Sequence, residues 1–213
     1  PATWPPTAQN EAALQAQLDA MGPRRAQMAI TRGQHSHPGG LYFGGLAPAW
    51  SNTTFRAVLQ EHAAGCRHLA WIDLHSGLGP SGVGERIFAS FDTGAALARA
   101  RQWWGDGVTS VHTGSSTSIP MTGPIQAAVD SACPHAAYTG ICLEFGTVPL
   151  PQMIGALRAD HWLHQHPEAD AALASAIRQQ IRTAFYTDTP VWKQALWTQG
   201  LQATQQALAG LAG

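Results

Sequence analysis

Two apolar runs of this sequence lead into residues that could do chemistry. The first run opens the segment WIDLHSGLGPSGVGE and delivers Asp73 and His75, and the second, in GICLEFGT, carries Glu144. An imidazole can bind a metal ion, and a desolvated glutamate with a raised pKa can act as a general base. The two runs together therefore predict proton transfer beside a metal-binding histidine.

The alternation of side chains along a strand predicts how Asp73 and His75 are arranged. Side chains alternate along a strand, so Asp73 and His75 share one face with Trp71. We predict a strand over 67–74, with His75 at its end and Ser76 and Gly77 opening the loop. Ligands of open α/β sheets bind outside the carboxyl ends of strands, and the Asp73 carboxylate is placed to orient the imidazole of His75.

Plainer roles exist for the same residues. Asp73 could cap a loop, His75 could be an ordinary strand-end histidine, and Glu144 could cap the next helix or meet a buried arginine. A zinc site needs about three protein ligands, so His75 by itself does not make one. A serine hydrolase using Ser76 with His75 is disfavoured, because adjacent strand residues point to opposite faces.

Other histidines give weaker signals. His161, His164 and His166 could hold a metal near a helix end, although exposed histidines are common at the negative end of a helix. His35 and His37 lie in a long loop with five glycines and two prolines, which could line a pocket or be solvated.

The order of elements predicts an α/β fold. We expect strands at 27–31, 67–74, 86–91, 108–112 and 138–145. We expect helices from the Thr7 cap to Met21, from a Ser51 or Asn52 cap to Ala64, and over 94–104, 125–132, 149–165, 167–185 and 190–208. Strands that read as continuous apolar runs and alternate with helices indicate a mixed, mostly parallel sheet flanked by helices on both faces. We treat residues 1–213 as a single domain.

Composition narrows the classes of function. The 213 residues carry a net charge of −1, with 45% hydrophobic and 12% charged residues. Such a balance gives no long-range attraction to nucleic acid or to an anionic membrane. Three cysteines without a CxxC spacing favour neither a disulfide framework nor a zinc ribbon. The chain lacks a signal-peptide pattern at its start and is expected to be cytoplasmic, although a periplasmic protein whose signal was removed would look similar.

Three segments in this order resemble a known family. GQHSHPGGLYFGGLAPAWS, DLHSGLGPSGVGE and LEFGT look like a bacterial branch of the zinc carboxypeptidase superfamily, which also holds succinylglutamate desuccinylase and aspartoacylase. The resemblance runs from about Pro1 to Trp162. It implies a partial carboxypeptidase-like sheet that binds one zinc ion at strand ends.

The resemblance assigns roles residue by residue. His75 matches the later zinc-ligand histidine of the family. Glu144 matches the base that activates water at the zinc. Asp73 is then the carboxylate that orients the His75 ring from behind the metal site. We expect Gln34, His35, Gly77 and Thr147 to line the substrate pocket. The implied substrate is a small peptide or an acylated amino acid, cleaved at a peptide C-terminus or at an N-acyl amide bond.

The family pattern is incomplete in these 213 residues. They contain neither the His-x-x-Glu motif that supplies two zinc ligands nor a segment like Asn-Arg-Asn-Phe that grips the substrate carboxylate. We therefore expect the C-terminal part of a longer catalytic domain: the chain is a fragment, its N-terminal half is a separate chain, or the gene is truncated. The chain alone is expected to be inactive. The alternative is a non-catalytic domain that keeps the fold and binds a ligand or partner.

Overall fold

A computed structural model of the chain describes residues 3–91 and 94–213. In chain order its elements are α1 (Ala8–Met21), α2 (Pro23–Thr31), α3 (Trp50–Ala63), β1 (His68–Ser81), β2 (Gly84–Phe88), α4 (Ala95–Trp104), β3 (Thr109–Ser110), α5 (Ile125–Ala132), β4 (Ala137–Gly146), α6 (Leu150–Gln165), α7 (Ala171–Phe185) and α8 (Pro190–Ala212).

The chain forms two compact units. The helical unit comprises Pro1–Leu46 and Pro149–Tyr186, and the sheet unit comprises Ala47–Val148 and Thr187–Gly213. The helical unit holds α1, α2, α6 and α7, and the sheet unit holds the remaining helices and every strand. Within the described ranges, no helix has the length and hydropathy that crossing a bilayer would require.

The sheet unit confirms the predicted α/β class. Its strands lie in the order β1-β4-β2-β3, with β1 parallel to β4, β2 antiparallel to β4, and β2 parallel to β3. Two of the three pairings are therefore parallel. The β1–β4 pair is the longest and keeps one register from His68 opposite Ala137 to Gly77 opposite Gly146.

Helices cover both faces of this sheet, as the apolar runs predict. On one face Ile141 and Leu143 pack with Trp104 of α4 and Trp192 of α8. On the other face Tyr138 packs with residues of α3 and α5, among them Leu59 and Val129. Each fully buried side chain of this size stabilises the fold by roughly 1.5–3 kcal/mol relative to an exposed one.

The segment at 27–31 is not a strand. It forms the second half of α2, which starts at Pro23, where the missing proline N–H has no helical partner. The Thr31 hydroxyl donates to the carbonyl of Gln27, one helical turn earlier. Residues 27–31 were too few to separate the two periods, and the proline start was the better signal.

The glycine-rich segment after His75 is strand rather than open loop. β1 continues to Ser81, and Ser76 and Gly77 still pair with β4. An irregularity follows Gly77, and Gly79 and Gly82 have φ values of 97° and 75°, which favour glycine. The chain turns there into β2, which begins at Gly84 instead of residue 86.

Other boundaries differ by a few residues. β3 covers only Thr109–Ser110, shorter than the predicted 108–112. α3 begins at Trp50 rather than after a Ser51 or Asn52 cap, and α7 begins at Ala171, where the Asp170 side chain caps it. The prediction of α5 over 125–132 is confirmed, as is the Thr7 cap of α1.

Candidate functional site

The strand register brings the predicted residues together in two rows on one sheet face. His75 of β1 lies opposite Glu144 of β4, and one pleat earlier Asp73 lies opposite Cys142. Because paired residues of neighbouring strands project to the same side, all four side chains share that face. We call these four residues the strand cluster.

His75 is held by a carboxylate and faces a second one. Its Nε2 lies 2.9 Å from Oδ2 of Asp73, and its Nδ1 lies 3.8 Å from Oε2 of Glu144. The hydrogen bond with Asp73 raises the pKa of His75, against the opposing effect of partial burial. The imidazole side chain is 50% exposed, so the Nδ1 side can be approached from solvent.

Asp73 is itself fixed from a second direction. The side-chain amide of Gln126, at the start of α5, donates to Oδ2 of Asp73 over 3.2 Å. Gln126 is a buried polar residue. A carboxylate that accepts from both an amide and an imidazole holds the ring in one orientation with Nε2 protonated, leaving Nδ1 as the ligand atom.

Glu144 is a buried carboxylate with one main-chain donor. It is 7% exposed, and the Leu78 N–H donates to its Oε1 over 2.9 Å. Burial raises the pKa of Glu144, and the Leu78 hydrogen bond only partly offsets that. A carboxylate with a raised pKa and one oxygen aimed at His75 has the properties of a general base.

Cys142 also belongs to the cluster but suits metal binding poorly. One ligand atom from each of His75, Cys142 and Glu144 lies within 4.8 Å of the others. A thiol binds zinc as the thiolate, and burial raises the pKa of Cys142, as do nearby carboxylates. In the metal-free protein the Cys142 thiol therefore keeps its proton.

The donor set fits zinc in part. An imidazole whose other nitrogen meets a carboxylate is the usual zinc-ligand arrangement, and His75 with Asp73 provides it. Glu144 fits the role of a neighbouring base. Within residues 3–91 and 94–213, His75, Cys142 and Glu144 form the one group of three or more possible ligands.

Glu85 lies in the same row as His75 and Glu144, and the sequence did not predict it as a site residue. It lies opposite Glu144 on β2, and it accepts from the Thr109 hydroxyl and from the backbone and hydroxyl of Thr117. These donors come from β3 and the polar loop after it. The alternation in GERIF could have placed Glu85 on a face, but only strand order shows that this face carries Glu144.

Two of the four predicted pocket residues lie beside the cluster. Thr147 follows β4, and its hydroxyl donates to the carbonyl of Gly77 over 3.2 Å. Gly146, the last residue of β4, has no room for a side chain, because the carbonyls of Gly79 and Pro80 lie against it. The end of β1 is thereby tied to the end of β4.

The other two pocket residues belong to the helical unit. The Gln34 amide accepts from the N–H groups of Ser36 and His37 and donates to the His37 carbonyl. The His35 ring bonds to the carbonyl of Gly45. Both side chains therefore hold their own loop in shape, and their assignment to a substrate pocket stays a prediction.

Ser76 does not share the face of His75. It lies opposite Phe145, whose side chain points into the core shared with α4 and α8. The alternation of β1 thus continues through Ser76, as expected, so Ser76 and His75 project from opposite faces of the strand.

The sheet unit is an α/β fold that carries a histidine–carboxylate cluster toward the carboxyl end of a parallel strand pair. The chain belongs to the family described as "Protein of unknown function (DUF2817)", whose model matches residues 1–199. No curated protein and no solved structure matches the chain.

Proposed function

We propose that the strand cluster is part of the active site of a zinc-dependent hydrolase that cleaves a peptide C-terminus or an N-acyl amino acid amide bond. The observation that carries the proposal is the row formed by His75 and Glu144, with Asp73 behind the imidazole. The resemblance of three segments to the zinc carboxypeptidase superfamily supports the same reaction class.

Each residue of the row has a distinct task in this proposal. His75 holds the metal through Nδ1 while Asp73 fixes the ring through Nε2. Glu144 takes a proton from the attacking water at Oε2, and the Leu78 N–H holds Oε1 in place. Zinc, when bound, lowers the pKa of water and polarises the scissile carbonyl.

Burial matters for the proton transfer. A carboxylate with an ordinary pKa is a weak base at neutral pH, and the base becomes more effective as its pKa approaches the working pH. Burial moves the pKa of Glu144 in that direction. After the attack the same carboxyl can return the proton to the leaving amine, which completes the hydrolysis.

The number of ligands limits what this chain can do alone. A catalytic zinc site uses about three protein ligands, and the strand cluster offers one imidazole with a favourable orientation. The superfamily pattern places the other two on a His-x-x-Glu motif, which the 213 residues do not contain. We therefore propose that the isolated chain binds zinc weakly and does not hydrolyse its substrate until those ligands are supplied.

Zinc binding tests the proposal directly. We expect equilibrium dialysis of the 213-residue chain to give weak binding of one zinc ion, reduced at least about tenfold by His75→Ala. A panel of acyl-amino acids should remain intact with the chain alone. His164→Ala, at an exposed histidine of α6, serves as the matched control and should bind zinc like the unchanged chain.

The outcomes separate the two parts of the proposal. Equal zinc binding by the His75→Ala variant would overturn the metal role of the cluster and favour a non-catalytic ligand-binding domain. Stoichiometric, tight zinc together with hydrolysis by the chain alone would support the hydrolase and overturn the need for further ligands.

A further inference from the structure

The helical unit contains a cavity whose lining residues all belong to that unit. Its volume is about 780 Å³, and it lies between α1, α2 and α6. Pockets of roughly 300–1,000 Å³ are the usual size for small-molecule sites in proteins. Its apolar lining includes Leu14, Leu18, Ile30 and Ile154.

The helix that closes the cavity is not packed like a core helix. α1 has no buried residue, and its two leucines, Leu14 and Leu18, are partly buried and line the cavity. Apolar side chains that line a cavity lack the van der Waals contacts that normally stabilise a pair of packed helices. An apolar group in the cavity would restore those contacts.

One charged pair stands at the cavity wall. Arg158 of α6 donates from both terminal nitrogens to the two oxygens of Glu11, over 3.0 and 2.6 Å. The same contact lowers the pKa of Glu11 and raises that of Arg158, so both stay charged at neutral pH. A guanidinium has five N–H donors, and these two bonds use two of them.

An imidazole one turn along supplies a hydrogen-bond acceptor. The Nε2 of His161 lies 2.9 Å from the carbonyl of Gly39, which can only accept, so Nε2 carries the proton. In that tautomer Nδ1 is an acceptor. Residues three apart on a helix are neighbours, so Arg158 donors and this acceptor lie side by side at the cavity.

We propose that this cavity binds an α-amino acid with an apolar side chain. The ligand carboxylate takes the remaining donors of Arg158, its ammonium group meets the Glu11 carboxylate and Nδ1 of His161, and its side chain fills the space beside Leu14, Leu18 and Ile154. A carboxylate and an ammonium on one carbon match a donor and an acceptor that are adjacent on a helix. This inference does not depend on the proposed hydrolase.

Calorimetric titration of the full chain with a set of ligands tests the proposal. L-Leucine should bind with a Kd on the order of 0.1 mM, in the absence of added metal. Three probes each lack one feature: glycine lacks the apolar side chain, 4-methylpentanoate the ammonium group, and 3-methylbutylamine the carboxylate. Each should bind at least about tenfold more weakly than leucine.

Variants test the position of the site. Arg158→Met should weaken leucine binding at least about tenfold, and Ile154→Trp should abolish it by filling the cavity. Arg178→Met, at an exposed arginine of α7, is the matched control and should bind leucine unchanged. Thermal unfolding of each free variant shows whether it is folded.

The ligand titrations of the unchanged chain test the site even if a variant unfolds. Absence of saturable leucine binding up to about 20 mM would overturn the site, because such an affinity is far below that of a built pocket. Equal binding of leucine and 4-methylpentanoate would overturn the assignment to an amino acid. Unchanged leucine binding by a folded Arg158→Met variant would overturn the location.

Discussion

Two regions of this chain place imidazole rings beside carboxyl or carbonyl oxygens, with different results. In the strand cluster, His75, Glu144 and Cys142 converge within 4.8 Å. Near the end of α6, His161 bonds to the Gly39 carbonyl, His164 faces Asp160 of its own helix, and His166 meets Glu168. No second group of possible ligands forms in the part of the chain that the structure describes.

The difference comes from the secondary-structure elements that carry these side chains, not from the residue types. Two parallel strands in register put side chains from distant parts of the sequence into one row, so residues 75 and 144 become neighbours. Near the end of α6 the side chains spread around the helix axis, and each imidazole has its own partner: a main-chain carbonyl for His161 and one carboxylate each for His164 and His166. Convergence of separate segments is therefore what makes the strand cluster a candidate site.

The largest contrast is expected in metal binding. With cobalt as a spectroscopic substitute for zinc, the chain should show ligand-field bands that disappear in the His75→Ala variant, with an affinity loss of at least about tenfold. The same bands should persist in His161→Ala and His164→Ala. A thiolate-to-cobalt charge-transfer band would contradict our conclusion that Cys142 suits metal binding poorly.

The second contrast lies in stability. Burial raises the pKa of Glu144, so the folded state binds its proton more tightly than the unfolded chain does. Ionised Glu144 therefore destabilises the fold, and this loss develops as the pH rises above the unfolded value of 4.5. Glu144→Gln keeps an acceptor for the Leu78 N–H and removes the charge.

At pH 7 this variant should melt about 2–4 °C higher, the shift that roughly 1 kcal/mol gives in a domain of this size. The gain should shrink toward pH 4. Glu168→Gln, at the exposed carboxylate beside His166, is the control and should leave the melting temperature unchanged. A lower melting temperature for Glu144→Gln would show that the ionised carboxylate stabilises the site.

A smaller effect is expected at the partner of His75. Because Asp73 raises the pKa of His75, that hydrogen bond stabilises the fold fully below the ordinary value of 6.5 and loses its effect as the pH rises through the folded pKa. Asp73→Asn should lower the His75 pKa in a proton NMR titration of the metal-free chain. It should also cost about 0.5–1 kcal/mol of stability near pH 6. An unchanged His75 pKa would contradict the assigned partner.

Much of this cluster followed from strand periodicity. Alternation placed Asp73 and His75 on one face, and an isolated carboxylate in the run around Glu144 indicated a second strand with a chemical role. Gln126 and Glu85 were not predictable in the same way. Their proximity depends on how α5 packs and on β2 lying beside β4, which are long-range properties of the sheet.

Two wrong predictions of local structure each have a local physical cause. Residues 27–31 form a helix because they continue a helix begun at Pro23, although the stretch is too short for its period to show. The glycines after His75 suggested an open loop, whereas they permit the bends by which β1 continues and turns into β2. Composition alone does not separate a flexible glycine-rich loop from a bent strand.

The smallest effect on stability is expected for a histidine–carboxylate pair on α6, which is the pair most similar to the strand cluster in residue type. His164 and Asp160 are four residues apart on α6, at 3.6 Å, and the His164 side chain is 76% exposed. Solvent screens such a pair, so Asp160→Asn should change the free energy of unfolding by less than about 0.5 kcal/mol across pH 5–8. Chemical denaturation at two pH values measures this against Asp73→Asn. If the two variants lose equal stability with the same pH dependence, the strand cluster is no more than another surface ion pair, and its convergence has no energetic consequence.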